Sequence, residues 1–128
     1  MNDARFEPLK RIPVLEETLP DANPPVRRVR GARIRFAPGQ PTGLHQHAMS
    51  TCGVVTAGSF IYQREGSEPV TLATGDGFFE PAGHTIVRFD NASDVEPAEI
   101  VAYYLMGEAE LPSIDMLAGG MDAQIGRR

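Results

Sequence analysis

The sequence of 128 residues contains a single cysteine, no tryptophan and no long hydrophobic run. One cysteine excludes an internal disulfide and is typical of proteins of the reducing cytoplasm. No segment approaches the roughly 20 consecutive apolar residues that a membrane span requires, and the first residues lack the apolar core of a signal peptide. We therefore expect a cytoplasmic protein without a membrane partner.

Positive charge is scarce. The 12 Lys and Arg against 17 Asp and Glu give a net charge of −5, which does not favour a nucleic-acid partner. The basic residues are unevenly distributed, however, and five arginines lie close together in the sequence: Arg27, Arg28, Arg30, Arg33 and Arg35. These arginines form either the solvated face of one strand or a basic strip that steers an anionic ligand.

Glycine and proline are abundant, with 13 and 11 residues, and both interrupt helices, so a helix bundle is excluded. Four prolines before residue 25 predict an extended arm that covers a hydrophobic surface of this chain or of a partner. From Val29 onwards, alternating apolar residues and short turn signals predict strands at spacings of about 8–12 residues. This pattern is typical of an all-β antiparallel sandwich or barrel.

These patterns divide the chain into an N-terminal arm (1–28), a β-barrel (29–106) and a C-terminal tail (107–128). Within the tail, residues 113–117 are predicted to form a short helix, because Ser113 is a suitable N-cap and a Gly-Gly pair follows. The connections between strands are too short for parallel crossovers, so we expect every pairing to be antiparallel.

The three histidines fall at two places, His45 with His47 and, much later, His84. Residues two apart in a strand point to the same face, so His45 and His47 project together. Two neutral imidazoles on one face form half of a site for a divalent metal ion such as Zn, Fe, Mn, Ni or Cu. This pair is therefore the first candidate for metal binding.

The surroundings of this pair resemble the cupin superfamily. The segment from Gly39 through His45 and His47 to Gly58 is similar to the first cupin motif, which reads Gly, five residues, His-x-His, three or four residues, Glu, six residues, Gly. The segment from Gly75 to Pro81-Ala82-Gly83 is similar to the opening of the second motif, and Asn91 lies near its end. The resemblance covers about residues 33–105 and implies a jelly-roll β-barrel with metal ligands that project into its interior.

Two of the ligands that the resemblance implies are absent. The family's glutamate falls at Thr51, and the histidine of the second motif falls at Ile86. Two imidazoles rarely hold a metal tightly without help. His84 is the candidate third ligand, because regular strand alternation places it on the face of Ile86, unless the turn after Gly83 breaks that alternation.

Further candidates for the site lie on the following strands. By alternation Arg88 shares the face of Ile86 and would bind the carboxylate of an organic acid, unless a bulge turns it outward to a surface acid. Gln63 and Tyr62 are candidate ligand-binding residues that offer oxygen atoms. Glu80, just before Pro81, is expected at the rim of the barrel.

Two functions remain open. The chain is either a cupin that binds a small molecule, with a partial histidine metal site and a ligand such as a small organic acid, or a metal-dependent cupin enzyme of the dioxygenase, isomerase or lyase type. The incomplete ligand set favours the binding protein, and the intact His-x-His pair favours the enzyme. Because small cupins commonly pair and the arm carries scattered apolar residues, we expect a homodimer.

Overall fold

The computed structural model describes residues 5–108 and the backbone of residues 115–116. The regular structure of these residues consists of strands. They contain no helix that could span a membrane. The strands are β1 (Arg28–Phe36), β2 (His45–Gln46), β3 (Thr51–Ala57), β4 (Phe60–Arg64), β5 (Val70–Leu72), β6 (Gly77–Glu80), β7 (Ile86–Asn91), β8 (Ala98–Met106) and β9 (Asp115–Met116).

The strands form two antiparallel sheets. One has the order β1-β8-β3-β6, and the other has the order β5-β4-β7-β2-β9. The inner faces of both sheets supply the hydrophobic core, to which Phe36 and Ile100 come from the first sheet and Phe60 and Phe89 from the second. The all-β antiparallel barrel predicted from the sequence is therefore confirmed.

A two-residue corner at Gly58 and Ser59 carries the chain from β3 in one sheet to β4 in the other. Gly58 has a φ of 74°, and a Cβ atom built on it would lie 2.9 Å from the Cβ of Ala98. Both observations require glycine here, because a side chain would be strained and would collide with β8. The corner thus keeps the end of β3, where the first motif ends, in a fixed position.

Strand β7 contains an irregularity that matters for the site. Its pairing with β4 shifts between Gln63, which faces Arg88, and Arg64, which faces Ile86, so Val87 is the additional residue of a bulge. The bulge reverses the alternation along β7. Ile86 and Phe89 are therefore both buried, and Arg88 lies on the outer face.

The N-terminal arm lies against its own barrel. The side chain of Asn23 accepts a hydrogen bond from the backbone N–H of Ser50 and donates one to the Leu105 carbonyl at 3.4 Å. Nearer the N-terminus, the backbone carbonyl of Val14 lies close to Gly77, the first residue of β6. The large apolar side chains of the arm nevertheless remain exposed. The exposed fractions of Phe6, Leu9 and Ile12 are 70%, 80% and 82%.

The predicted C-terminal helix falls largely outside the described residues. Its two described residues, Asp115 and Met116, form β9, which pairs antiparallel with β2 through His45 and Gln46. At these two positions the backbone is a strand rather than a helix. The pairing places β9 at the edge of the sheet that carries the first histidine.

Candidate metal centre

His45 and His47 project together from β2 and the residue after it, as the two-residue spacing predicts. Both side chains are buried, and their ring centroids are 5.1 Å apart. The Nδ1 atom of His45 lies 2.9 Å from the Gly43 carbonyl oxygen. Because a carbonyl only accepts, Nδ1 is the donor to Gly43, which leaves Nε2 as the His45 nitrogen that faces Glu80 and would bind a metal.

Glu80, the last residue of β6, supplies a third donor. Its Oε1 atom lies 2.5 Å from His47 Nε2 and 3.4 Å from His45 Nε2. One ligand atom from each of the three residues lies within 4.8 Å of the other two, and all three side chains are buried. The expectation that Glu80 lies at the rim is therefore wrong, because its side chain is only 5% exposed.

The carboxyl group of Glu80 is held as a carboxylate. Burial alone would raise its pKa, but the charge of His47 and hydrogen bonds from both histidines outweigh burial and lower the pKa to about 2. A buried charge is tolerated here because it is paired and hydrogen-bonded. The cluster therefore offers one anionic oxygen and two imidazole nitrogens at neutral pH.

This donor set fits a divalent metal ion. Imidazole nitrogens and carboxylate oxygens bind Zn, Fe, Mn, Ni and Cu, and two histidines with one carboxylate are a recurrent set of ligands around a metal with open positions. Catalytic sites usually keep three protein ligands and leave a position for water or substrate. His45, His47 and Glu80 thus form a three-residue group that could hold a metal ion.

The cluster lines a small cavity inside the barrel. The cavity has a volume of about 50 Å³, and its apolar walls include Phe36, Phe78 and Phe89. Thr51 and Tyr104 add hydroxyl groups to the same lining. Since a water molecule needs about 10–15 Å³ of such volume, the cavity admits a few waters or a molecule of a few heavy atoms.

The register of the strands explains how the third donor replaces the family's glutamate. Thr51, at the position of that glutamate, pairs directly with Glu80 on β6. The carboxylate therefore enters the same place from the neighbouring strand. Ile86, at the position of the second-motif histidine, lies opposite His45, is fully buried and offers no ligand atom.

The structure does not bring His84 into this cluster. The side chain of His84 is exposed. Its backbone N–H donates to the Pro81 carbonyl at 3.1 Å, as part of a turn. The expectation rested on strand alternation, but β7 begins only at Ile86. The third donor is Glu80, whose alternation with the buried Phe78 was a signal in the sequence.

The remaining candidates also lie outside the cavity lining. Arg88 is 41% exposed on the outer face, where its Nε lies 2.9 Å from Asp90 Oδ2. Gln63 donates to the Ser67 carbonyl at 2.9 Å. Tyr62 is buried, and its hydroxyl donates to the Phe79 carbonyl; burial, and then the charge of Glu80, raise its pKa.

Comparisons with known proteins agree with this architecture. The family model for the cupin domain matches residues 32–104. The structure is similar to a cupin-like protein from Thermotoga maritima (22% identity, 77% of this chain and 71% of that chain, TM-score 0.59). It is also similar to the DMSP lyase DddQ from Ruegeria pomeroyi DSS-3 (22% identity, 69% of this chain and 42% of that chain, TM-score 0.58). A third similar structure is an oxalate oxidase (24% identity, 70% of this chain and 46% of that chain, TM-score 0.59).

The chain spans less than half the length of the lyase and of the oxidase that it matches. A search among curated proteins finds no match. The family model covers more than half of the chain, and it includes both histidines of the first motif and the carboxylate of β6. On this basis, and on its two-sheet antiparallel barrel, the protein belongs to the cupin family.

Proposed function

We propose that this cupin binds one divalent metal ion through His45, His47 and Glu80 and uses it to act on a small organic substrate. The observation that carries the proposal is the convergence of three buried donor atoms within 4.8 Å at the wall of a cavity. The ion, when bound, supplies a Lewis acid that polarises an oxygen atom of the substrate.

The residues of this chain prepare the site for that role. The Gly43 carbonyl orients the ring of His45, and such a contact fixes the tautomer of a metal-binding histidine. Phe78 and Phe89 give the cavity apolar walls, and an apolar surrounding strengthens charge interactions. The reaction classes that fit are those of a dioxygenase, an isomerase or a lyase.

Binding without catalysis is the second candidate. It is favoured by Ile86, which removes one of the ligands that the cupin motifs supply. The two functions are distinguished by loading the protein with Fe(II) or Mn(II), adding small organic acids, and following oxygen uptake and product formation by mass spectrometry. Ligand binding without turnover supports the second candidate.

Metal analysis of protein purified without an affinity tag tests the metal site. We expect about one ion per chain in the wild type and almost none in His47→Ala or Glu80→Gln. His84→Ala is the matched control and should keep its metal, because this histidine is exposed. An empty wild-type protein after incubation with excess metal, or equal loss in the control, would overturn the proposal.

The setting of the protein is a further part of the proposal. A single cysteine supports a location in the reducing cytoplasm. The exposed apolar residues of the arm, among them Phe6 and Ile12, support a homodimer in which a second copy covers them. The small cavity supports a small-molecule ligand rather than a macromolecule.

A further inference from the structure

A row of polar side chains crosses the inner face of the four-stranded sheet. In the register of the strands, Arg30 on β1 pairs with Tyr104 on β8, and Tyr104 pairs with Thr51 on β3. Thr51 in turn pairs with Glu80 on β6. Directly opposite residues share a face of the sheet, so the four side chains form one line from the metal cluster to the outer edge at β1.

The orientation of this row follows from burial. Tyr104, Thr51 and Glu80 all line the cavity. Arg30 lies two and four residues before Ala32 and Ile34, which pack against the hydrophobic core, and therefore shares their face of β1. Arg30 therefore belongs to the face that carries the cavity, at the exposed edge of the sheet, where its charge acts on Tyr104.

The neighbouring row is apolar. It consists of Ala32, Ala102, Gly53 and Phe78, one residue from each of the same four strands. Apart from Arg28, which lies opposite Met106 at the start of β1, the polar groups of this face belong to the row of Arg30. A core without a ligand gains nothing from such a line, because buried polar groups cost free energy unless they are hydrogen-bonded.

Thr51 supplies a separate indication of a ligand. Its Oγ1 atom is buried without a hydrogen-bond partner, and the residue is only 2% exposed. A buried unpaired hydroxyl is rare in folded proteins. The atom lines the cavity beside Glu80 and can donate to an oxygen placed there.

The charges of the row select the sign of that ligand. A divalent ion bound by one carboxylate and two neutral imidazoles keeps a net positive charge, and Arg30 adds another at the far end. Both end charges act on the Tyr104 phenol between them, whose pKa is raised by burial and by Glu80 and lowered by Arg30. A row with cations at both ends and hydroxyl donors between them is complementary to an anion rich in oxygen.

We infer that the row of Arg30, Tyr104, Thr51 and Glu80 binds a small organic carboxylate, with Thr51 donating to the oxygen nearest the metal and Arg30 attracting the carboxylate at the cavity entrance. This inference rests on the proposed function, since it uses the same metal centre. It assigns to Arg30 the role that the sequence suggested for Arg88.

Calorimetric titration of zinc-loaded protein with glycolate and acetate tests the inference, and the uncharged amides of both acids serve as matched ligands. We expect the acids to bind and the amides to bind more weakly. Arg30→Gln should weaken binding of the acids by about three- to tenfold and reduce its dependence on salt, because exposed charges are screened. Thr51→Val, which keeps the shape of the side chain, should weaken binding by about tenfold.

Two control variants separate the row from general effects of charge and size. Arg33→Gln removes an arginine of the same strand from the outer face, where it pairs with Glu99 at 2.9 Å. Thr42→Val removes the other threonine hydroxyl of the cavity lining, which has a partner in the Gly43 carbonyl at 3.4 Å. Neither control should change the affinity for the acids by as much as its counterpart.

Equal losses in Arg30→Gln and Arg33→Gln, or equal binding of acids and amides, would overturn the inference while leaving the metal site intact. Metal content is measured on every sample, so failure of the proposed function is recognised separately as protein without zinc. In that case the titration is repeated on metal-free protein, where loss of acid binding in Arg30→Gln still supports the row and no difference from Arg33→Gln refutes it.

Discussion

Glu80 and Ile86 are the two residues that make this site differ from the motifs of its family. Glu80 reaches the cluster from β6 and compensates for the absence of a carboxylate at Thr51. No described residue replaces the histidine of the second motif. At its position the fully buried Ile86 lies directly opposite His45 and offers no ligand atom. The site is therefore one donor short of the family's set.

Restoring that donor gives a prediction at the scale of one residue. Ile86→His should tighten binding of zinc by about tenfold or more, because a fourth ligand completes the tetrahedral set that this ion prefers. The metal-free variant should lose about 1–3 kcal/mol of unfolding free energy, since it buries an unpaired imidazole in place of isoleucine. Competition titration with a zinc chelator and urea unfolding measure the two effects. Unchanged zinc affinity would show that position 86 does not face the ion.

At the scale of the element, regular alternation decides which side chains the sequence can place. The two-residue spacing of His45 and His47 predicts their common face, and the structure brings them together. The same argument misplaces His84, which lies in a turn, and Arg88, which follows the bulge at Val87. The turn is marked in the sequence only by Gly83, and the bulge leaves no mark, because a bulge depends on the pairing with the partner strand. Glu80 was missed for a related reason: its two-residue spacing from Phe78 indicates only which face it shares, and the register of β3 and β6 places it beside Thr51.

The outer face of the first sheet carries its own network of charges, which yields a prediction about pH. Hydrogen bonds from Arg35, Thr56 and Arg33 lower the pKa of Glu99 to about 2. Because the pKa is lower in the folded than in the unfolded chain, this carboxylate contributes stability above about pH 4.5, and the contribution disappears as the pH falls towards 2.

Glu99→Gln should therefore lower the urea midpoint at pH 6 more than at pH 3. Urea unfolding of both proteins at the two pH values measures the difference. Glu96→Gln, which removes an exposed carboxylate just before β8, is the control and should leave the pH dependence unchanged. A loss in Glu99→Gln that is the same at both pH values would show that the arginines do not hold this carboxylate.

At the scale of the whole molecule, the fold was the most predictable feature. Glycine and proline at short intervals exclude long helices, and turns of the structure fall at such positions, as at Gly58. The arm was also foreseeable as an extended segment. What covers its apolar residues could not be read from the sequence, because exposure depends on where the arm lies, and Leu9 and Ile12 remain exposed on this chain.

Removal of residues 1–20 tests the role of the arm. We expect the shortened protein to be less stable, because Val14 no longer covers Gly77 at the edge of β6, and to shift from dimer to monomer. Sedimentation at several concentrations measures the mass, and thermal unfolding measures the stability. The triple variant with Phe6, Leu9 and Ile12 changed to Ser keeps the arm and should affect the mass alone. Full-length protein that sediments as a monomer at micromolar concentration would contradict the homodimer.

The contacts among His45, His47 and Glu80 have a consequence for how the protein acquires its metal ion. Without an ion, the Glu80 carboxylate still has His47 at 2.5 Å and His45 at 3.4 Å as polar partners, so this buried group is not left unpaired. Folding and metal loading are therefore separable events, unlike those of a zinc finger, which unfolds when its metal is removed. Treatment with EDTA should leave the circular dichroism spectrum unchanged, and the emptied barrel should accept a different ion afterwards. The metal found in the purified protein would then report the supply of ions in the cell as much as the preference of the site.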